Sequence, residues 1–271
     1  MQPLSLQAST IKINFSIGGM KMKIAYFDCF SGVSGDMLLG AFIDLGLPLK
    51  QLESGLSSLG LGEEFSLNAS RVEMCGIYGT KLNVITSENN IEPDYKGYHH
   101  NNHRHLGDIV DMISQSSLDV WVKDKSIEVF HKIAMAEGKV HNQPYERVHF
   151  HEVGAVDSIV DVVGTVLSVR LLEIGSIYCS PLPMSRGFVK TCHGILPLPA
   201  PATAELMIKI PVYCTDSEKE LITPTGVALL SSLTQEFGYF PPSSRWERIG
   251  YGCGSHIRKI PNMLRIFTGW A

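Results

Sequence analysis

The sequence predicts a mixed α+β or α/β fold of short alternating strands and helices, arranged in one or two subdomains. Hydrophobic spacing switches repeatedly between the two-residue period of a strand and the 3.6-residue period of a helix. Glycine and proline punctuate these segments at short intervals, and no repeat of fixed period is visible. With 271 residues, 44% hydrophobic and 18% charged, the chain can bury a substantial core.

In chain order, residues 1–22 read as an extension ahead of the first strand, Lys23–Asp28, and Met20 or Met22 is a candidate start. The strand ends in the turn Cys29-Phe-Ser-Gly-Val-Ser-Gly35-Asp36, and a helix follows over Met37–Leu45, stopped by Gly46 and Pro48. Gln51–Leu59 reads as a second helix. Phe65–Ile85 alternates as two strands about the turn Cys75-Gly76. Residues 87–105 are polar and aperiodic, the pattern of a mobile loop, and hold His99, His100, His103 and His105. Leu106–Ile113 and Val120–Val140 read as helices, Arg147–Val153 as a strand and Asp157–Leu172 as a helix. Pro181, Pro183, Pro197, Pro199 and Pro201 then break the chain into short strands, with helices near Ala202–Met207 and after Thr223-Pro-Thr-Gly226. These spans suggest an α/β unit over 23–180 and a Pro-punctuated portion over 181–271 packed on it. The Pro-rich stretch serves equally as a boundary or as extended connections.

Composition removes several functions. A net charge of −4 with dispersed basic residues leaves no footprint for nucleic acid. The most apolar run, Val153–Leu172, is interrupted by Asp157, Asp161 and Arg170, so it is not a membrane span. Six cysteines without a Cys-x-x-Cys pair read as thiols of a cytoplasmic protein, and the first twenty residues lack a signal-peptide pattern.

The chemistry concentrates in Val148-His-Phe-His-Glu-Val-Gly-Ala-Val-Asp-Ser-Ile-Val-Asp161. Buried ionisable groups cost several kcal/mol unless paired or bound to metal, and this stretch carries five among apolar neighbours. On a strand His149 and His151 share a face, about 7 Å apart at the backbone, close enough to converge on one cation, with Glu152 next to them. Asp157 and Asp161 stand at i and i+4 on a helix, where like charges repel unless a cation or arginine intervenes. The alternative is that Asp157 caps the helix and Asp161 complements its dipole. Ile127, Phe130, Ala134, Glu137 and His141 follow one helix face, which either emerges into solvent or aims Glu137 and His141 at the core. At the first strand end, Asp28, Ser34, Gly35 and Asp36 suit an anion at a helix N-terminus and a metal on the aspartates. Thr225 and Gly226 form a similar turn that binds phosphate or merely caps. Nitrogen and oxygen donors without clustered thiolates favour zinc, nickel, manganese or iron.

Together these segments resemble the LarC family, the nickel-insertion proteins that make the nickel-pincer cofactor of lactate racemase. The matching blocks are Tyr26-Phe-Asp-Cys-Phe-Ser-Gly-Val-Ser-Gly-Asp-Met37, Ala136-Glu-Gly-Lys-Val-His141, Val148–Asp161, His193-Gly-Ile-Leu-Pro-Leu-Pro-Ala-Pro-Ala-Thr203, Thr223–Gly226, Gly250-Tyr-Gly-Cys-Gly254 and Pro261-Asn-Met-Leu-Arg265. The resemblance implies a nickel chelatase that inserts Ni(II) into pyridinium-3,5-bisthiocarboxylic acid mononucleotide, linked to hydrolysis of CTP with Mn(II) or Mg(II). On this basis His141, His149, His151 and Glu152 carry nickel, and Asp157 and Asp161 orient those ligands or join them. Asp28 and Asp36 hold the phosphate side through a cation or remove a proton, and Glu137 is a further base. Ser34, Gly35, Thr225 and Gly226 contact the nucleotide.

Family members continue past the Asn-Met-Leu-Arg block into a CTP-associated portion, which is expected to be missing here. A separate C-terminal half and the lactate racemase apoprotein are the implied partners, and homo-oligomerisation stays open. Gly138 stands where the family is expected to have alanine and is predicted to end its helix early. Two other readings use the same residues: a metal-dependent hydrolase of a phosphorylated small molecule, and a non-enzymatic nickel carrier.

Overall fold

The computed structural model describes residues 22–270 except 63, 87–103, 149, 151–154, 192, 242–243 and 257. Seven α-helices and eleven strands are found among them, as the mixed α and β pattern predicts. The strands before residue 100 are β1 (Lys23–Asp28), β2 (Phe65–Met74) and β3 (Ile77–Thr86); then come β4 (Ser176–Cys179), β9 (Glu236–Phe237), β10 (Arg245–Cys253) and β11 (Met263–Trp270). These seven form one mixed sheet in the order β2-β3-β10-β11-β1-β4-β9. β1 runs antiparallel to β11 and parallel to β4, so strands from either side of residue 181 alternate in one layer. Two small pairs lie outside it: β5 (Leu182–Met184) with β8 (Val212–Cys214), and the hairpin β6 (Phe188–Thr191) with β7 (Gly194–Pro197).

The alternation in β1 explains its central place. Ala25 and Phe27 point into the main core, while Ile24 and Tyr26 join Tyr178 and Trp246 in a smaller cluster. Helix α1 (Gly35–Asp44) lies on β10, β3 and β11. Its approach is set by glycines: a Cβ on Gly252 of β10 would overlap the Met37 carbonyl oxygen, and one on Gly250 that of Ala41. Asp44 closes α1 against the sheet, accepting from Thr80 Oγ1 and from the Tyr251 N–H, each at 2.9 Å.

Helices α2 (Leu49–Leu56) and α5 (Val156–Leu171) pack on each other, and α5 also packs on α1. Twelve of the 16 residues of α5 are buried, the others being Asp157, Asp161, Arg170 and Leu171 near its two ends. Outside it lie α3 (Leu106–Gln115), α4 (Val120–Val140), α6 (Pro201–Leu206) and α7 (Pro224–Leu233), with α4 against α5, α6 and α7. No described helix is long and apolar enough to cross a membrane.

Two expectations need correction. The predicted strand Arg147–Val153 is not one where it is described. Tyr145–Arg147 is a 3-10 turn, and Val148 and Phe150 are unpaired although both are buried. Their apolar alternation reflects anchoring in the core, with Phe150 against Phe130 at 6.4 Å between ring centres, rather than ladder pairing. Gly138 does not end its helix, because α4 continues to Val140. A Cβ there would come within 2.9 Å of the Gln143 carbonyl oxygen, so the glycine admits the returning chain.

Candidate functional site

Three helices begin at one cavity of about 470 Å³. From α1 come Ser34, Gly35 and Asp36, from α5 Asp157, Ser158 and Asp161, and from α7 Thr223, Pro224 and Thr225. Two of the glycines predicted for binding build this convergence. A Cβ on Gly35 would overlap the Asp161 carboxylate, and one on Gly226 would stand 2.7 Å from the Val33 carbonyl oxygen. The turns before α1 and α7 are also zipped together, Val33 N–H donating to Leu221 O at 2.8 Å and Thr223 N–H to Val33 O at 3.1 Å. Arg258 reinforces them by donating to the carbonyls of Ser31 (3.0 Å) and Glu220 (2.7 Å). Gly226 spends its own N–H on the Thr223 Oγ1 cap, so its role is contact between turns.

The carboxylates here are electrostatically loaded. Asp161 faces the cavity, yet its Oδ1 is shut off from solvent and has no hydrogen-bond partner among the described residues. Burial, then the neighbouring Asp36 and Asp157, push its carboxyl well above the usual range, against one bond from the Asp36 N–H. Burial also raises Asp36, opposed by its bonds from the Ser34 hydroxyl and the Met37 N–H and by the charge of Lys81. Asp157 is not the N-cap of α5. Ala155 holds that position, and Asp157 accepts from the Ser158 N–H at 2.7 Å inside the first turn.

A second cavity, of about 280 Å³, shares Pro224 with the first. Glu137 and His141 reach it from the end of α4, the glutamate and imidazole 3.4 Å apart. The face of α4 thus runs from buried Phe130 and Ala134 to a polar end lining a cavity rather than open solvent. His193, at the turn of the β6–β7 hairpin, meets His141 at 4.8 Å between ring centres. Its motif, His193–Thr203, assigned it no role, since only hairpin formation brings it to α4. Val140, Leu196 and Ala202 give this cavity apolar walls.

Asp28 is not brought to either cavity. It ends β1 in an ion pair with Arg265, whose Nε donates to it at 2.9 Å. His149, His151, Glu152 and most of the histidine-rich loop lie outside the described residues. His105 is described and belongs to the capping box that starts α3. Among the described residues, no three His, Cys, Asp or Glu side chains are grouped to hold a metal by themselves.

The profile of the family described as nickel insertion protein matches residues 25–270. The chain belongs to the nickel-insertion protein family. A Dictyoglomus thermophilum relative named putative nickel insertion protein is 44% identical over 248 residues, 92% of this chain and 61% of that one. A Desulfitobacterium hafniense (strain DSM 10664 / DCB-2) relative, named pyridinium-3,5-bisthiocarboxylic acid mononucleotide nickel insertion protein, is 47% identical over 92% of this chain and 58% of its own length. A Geobacillus kaustophilus protein of the same name is 44% identical, with 92% and 60% covered. The chain therefore spans about three fifths of the length of the curated relatives it matches. No solved structure matches it. In this nickel-insertion family member, the motifs fall on the two cavities and their supports: Ser34–Asp36 and Thr223–Gly226 on the first, Glu137, His141 and His193 on the second, and Gly250-Tyr-Gly-Cys-Gly254 under α1.

Proposed function

We propose that this chain takes part in inserting Ni(II) into pyridinium-3,5-bisthiocarboxylic acid mononucleotide, the substrate named for two of its relatives. The observation that carries the reading is the meeting of Glu137, His141 and His193 at an apolar-walled cavity beside the carboxylate cavity. Imidazoles suit nickel, and two of them hold it without a closed cage. A donor that must surrender its metal needs such an open site, since the two sulfurs and one carbon of the pincer must replace protein ligands. His149, His151 and Glu152 belong to the same proposal as the ligands that first capture the ion.

Formation of the carbon–nickel bond releases one proton from that carbon, and nickel stays divalent. Glu137 is the proton acceptor in this reading, since it faces the same cavity as the imidazole 3.4 Å away. The reaction is cytoplasmic in the same reading and draws on CTP with Mn(II) or Mg(II) as its energy source.

Nickel content tests the capture step. After expression in nickel-supplemented medium, elemental analysis should find near-stoichiometric nickel in the native chain and little in the His149→Ala/His151→Ala form. Equal nickel in both would remove these histidines from the proposal. Insertion is read separately, by incubating the loaded chain with the mononucleotide, CTP and Mn(II), with and without the additional portion of a longer relative. A requirement for that portion favours the carrier reading, and activity without it an autonomous insertase. Turnover of simple phosphoesters with no nickel transfer would favour the hydrolase.

The anchoring of the histidine motif gives a further expectation. Phe150 is 1% exposed and packs on Phe130. Phe150→Ala should cost about 3–5 kcal/mol of stability, and at temperatures where the variant stays folded it should retain less nickel. Thermal unfolding and metal analysis of one preparation read both effects, and nickel retention at the native level would uncouple the anchor from the site.

A further inference from the structure

We infer that the carboxylate cavity is a phosphomonoester site that works through a divalent cation, holding the phosphate end of the mononucleotide while its ring end lies at His141 and His193. This rests on the nickel-insertion reading and adds how that substrate is held.

The cavity combines two features that conflict unless a cation joins them. Helices α1, α5 and α7, of 10, 16 and 10 residues, all start at it. Each contributes a partial positive charge of about half a unit, a setting that favours a phosphate, while the N–H groups of Asp36, Met37, Ser158 and Gly226 already donate to Asp161, Asp36, Asp157 and Thr223. The caps of α1 and α5, Ser34 and Ala155, make no side-chain cap bond. The hydroxyls of Ser34, Ser158, Thr225 and Ser255 sit among these termini. Yet Asp36, Asp157 and Asp161 line the same space and would repel a phosphate dianion.

Asp161 resolves the conflict. Its Oδ1 is buried and without a hydrogen-bond partner among the described residues, on a carboxylate already crowded by two others. A bare carboxylate oxygen in that position is a ligand atom for a hard cation. Mg(II) and Mn(II) commonly bind through one or two carboxylates and complete their shell with phosphate oxygens and water. That arrangement needs no three-residue cage, and none is present among the described residues. The cation would neutralise the acidic side while the phosphate faced the helix termini. The division also sorts the metals by donor type: the hard ion to oxygens, nickel to imidazoles. Pro224, common to both cavities, is the wall across which a nucleotide would span them.

Calorimetry with nicotinic acid mononucleotide, a pyridinium mononucleotide without thiocarboxylates, tests this on the full chain, with its dephosphorylated riboside as control. The mononucleotide should bind about tenfold or more tightly with Mg(II) than with EDTA, and the riboside weakly in both. Asp161→Asn should lose the magnesium-dependent gain yet keep native nickel content. His141→Ala/His193→Ala should do the reverse. Should Asp161→Asn fail to fold, Thr225→Val carries the test, with a severalfold loss of mononucleotide affinity expected. Equal affinity for riboside and mononucleotide would overturn the site, as would indifference to Mg(II). Loss of nickel in Asp161→Asn with mononucleotide binding intact would overturn it too, by giving the carboxylates to nickel. Magnesium-dependent binding in a chain that never loads nickel would uphold this site and sink the nickel reading instead.

Discussion

Gly252→Ala is expected to be among the most damaging single-methyl changes in this chain. The added Cβ would overlap the Met37 carbonyl oxygen and press on the Ala41 N–H at 2.7 Å, both backbone atoms of α1. Neither can turn aside as a flexible side chain would, so α1 must lift from β10. Gly40, on the facing side of α1, is in turn closed off by the Thr80 carbonyl of β3, so the helix has no room to slide. Gly252 pairs with Thr80 where β10 meets β3, hence displacement also loosens the join between sheet halves. A loss of about 3 kcal/mol, at the upper end for overpacking, is expected, equivalent to a fall of roughly 6–12 °C in Tm. Because α1 carries Ser34–Asp36 at its start, magnesium-dependent nucleotide binding should weaken in parallel. Thermal unfolding reads the first effect, and a melting temperature within a degree or two of native would refute the tight-contact argument.

Asp161→Asn should act in the opposite direction on the unliganded protein. The folded-state carboxyl is pushed up by burial and by Asp36 and Asp157, so the fold holds a proton that the unfolded chain would release. Its stability contribution is therefore fully present below the ordinary aspartate range and is lost as pH rises through the raised folded value. An amide of the same shape removes that loss. Relative to native, Asp161→Asn should be more stable at neutral pH by roughly 2 kcal/mol, a part of the several that an unpaired buried charge costs. The difference should shrink toward zero in acid, where native Asp161 is protonated as well. Adding Mg(II) with a pyridinium mononucleotide should reverse the order, because only the native chain gains binding energy, about 2.7 kcal/mol at a hundredfold excess over Kd. Paired melts across pH, with and without ligand, check all three statements. A variant less stable than native at neutral pH without ligand would mean that the Asp161 charge is satisfied within the fold.

Both predictions come from close approaches between segments far apart in sequence, which marks the limit of what local pattern conveys. The helix Val120–Val140 and the strand pair about Cys75-Gly76 were legible, since each has a clear period and clear punctuation. Arg147–Val153 misled because alternation of buried residues is shared by a strand and by an extended segment pinned to a core. The site was partly legible on the same terms. Asp157 and Asp161, one turn apart on a helix, declared themselves as a strained pair. Asp28 and Asp36 looked equivalent in a single turn, but Arg265, on the neighbouring strand β11, occupies the first and leaves the second to the cavity. His193 gave no local signal, because its partner lies on α4.

By itself the sequence determined the alternation of elements and the family, and it supplied the candidate residues for metal and phosphate chemistry. The alternation follows from periodicity and punctuation, which are properties of neighbours along the chain, and the family from the resemblance of its motif blocks. Only the tertiary structure decided which of those residues meet. Three helix starts converge because glycines at 35, 226 and 252 allow backbones to approach closely. That convergence is what leaves Asp161 with a buried oxygen that has no partner among the described residues, and places two imidazoles across one proline from it.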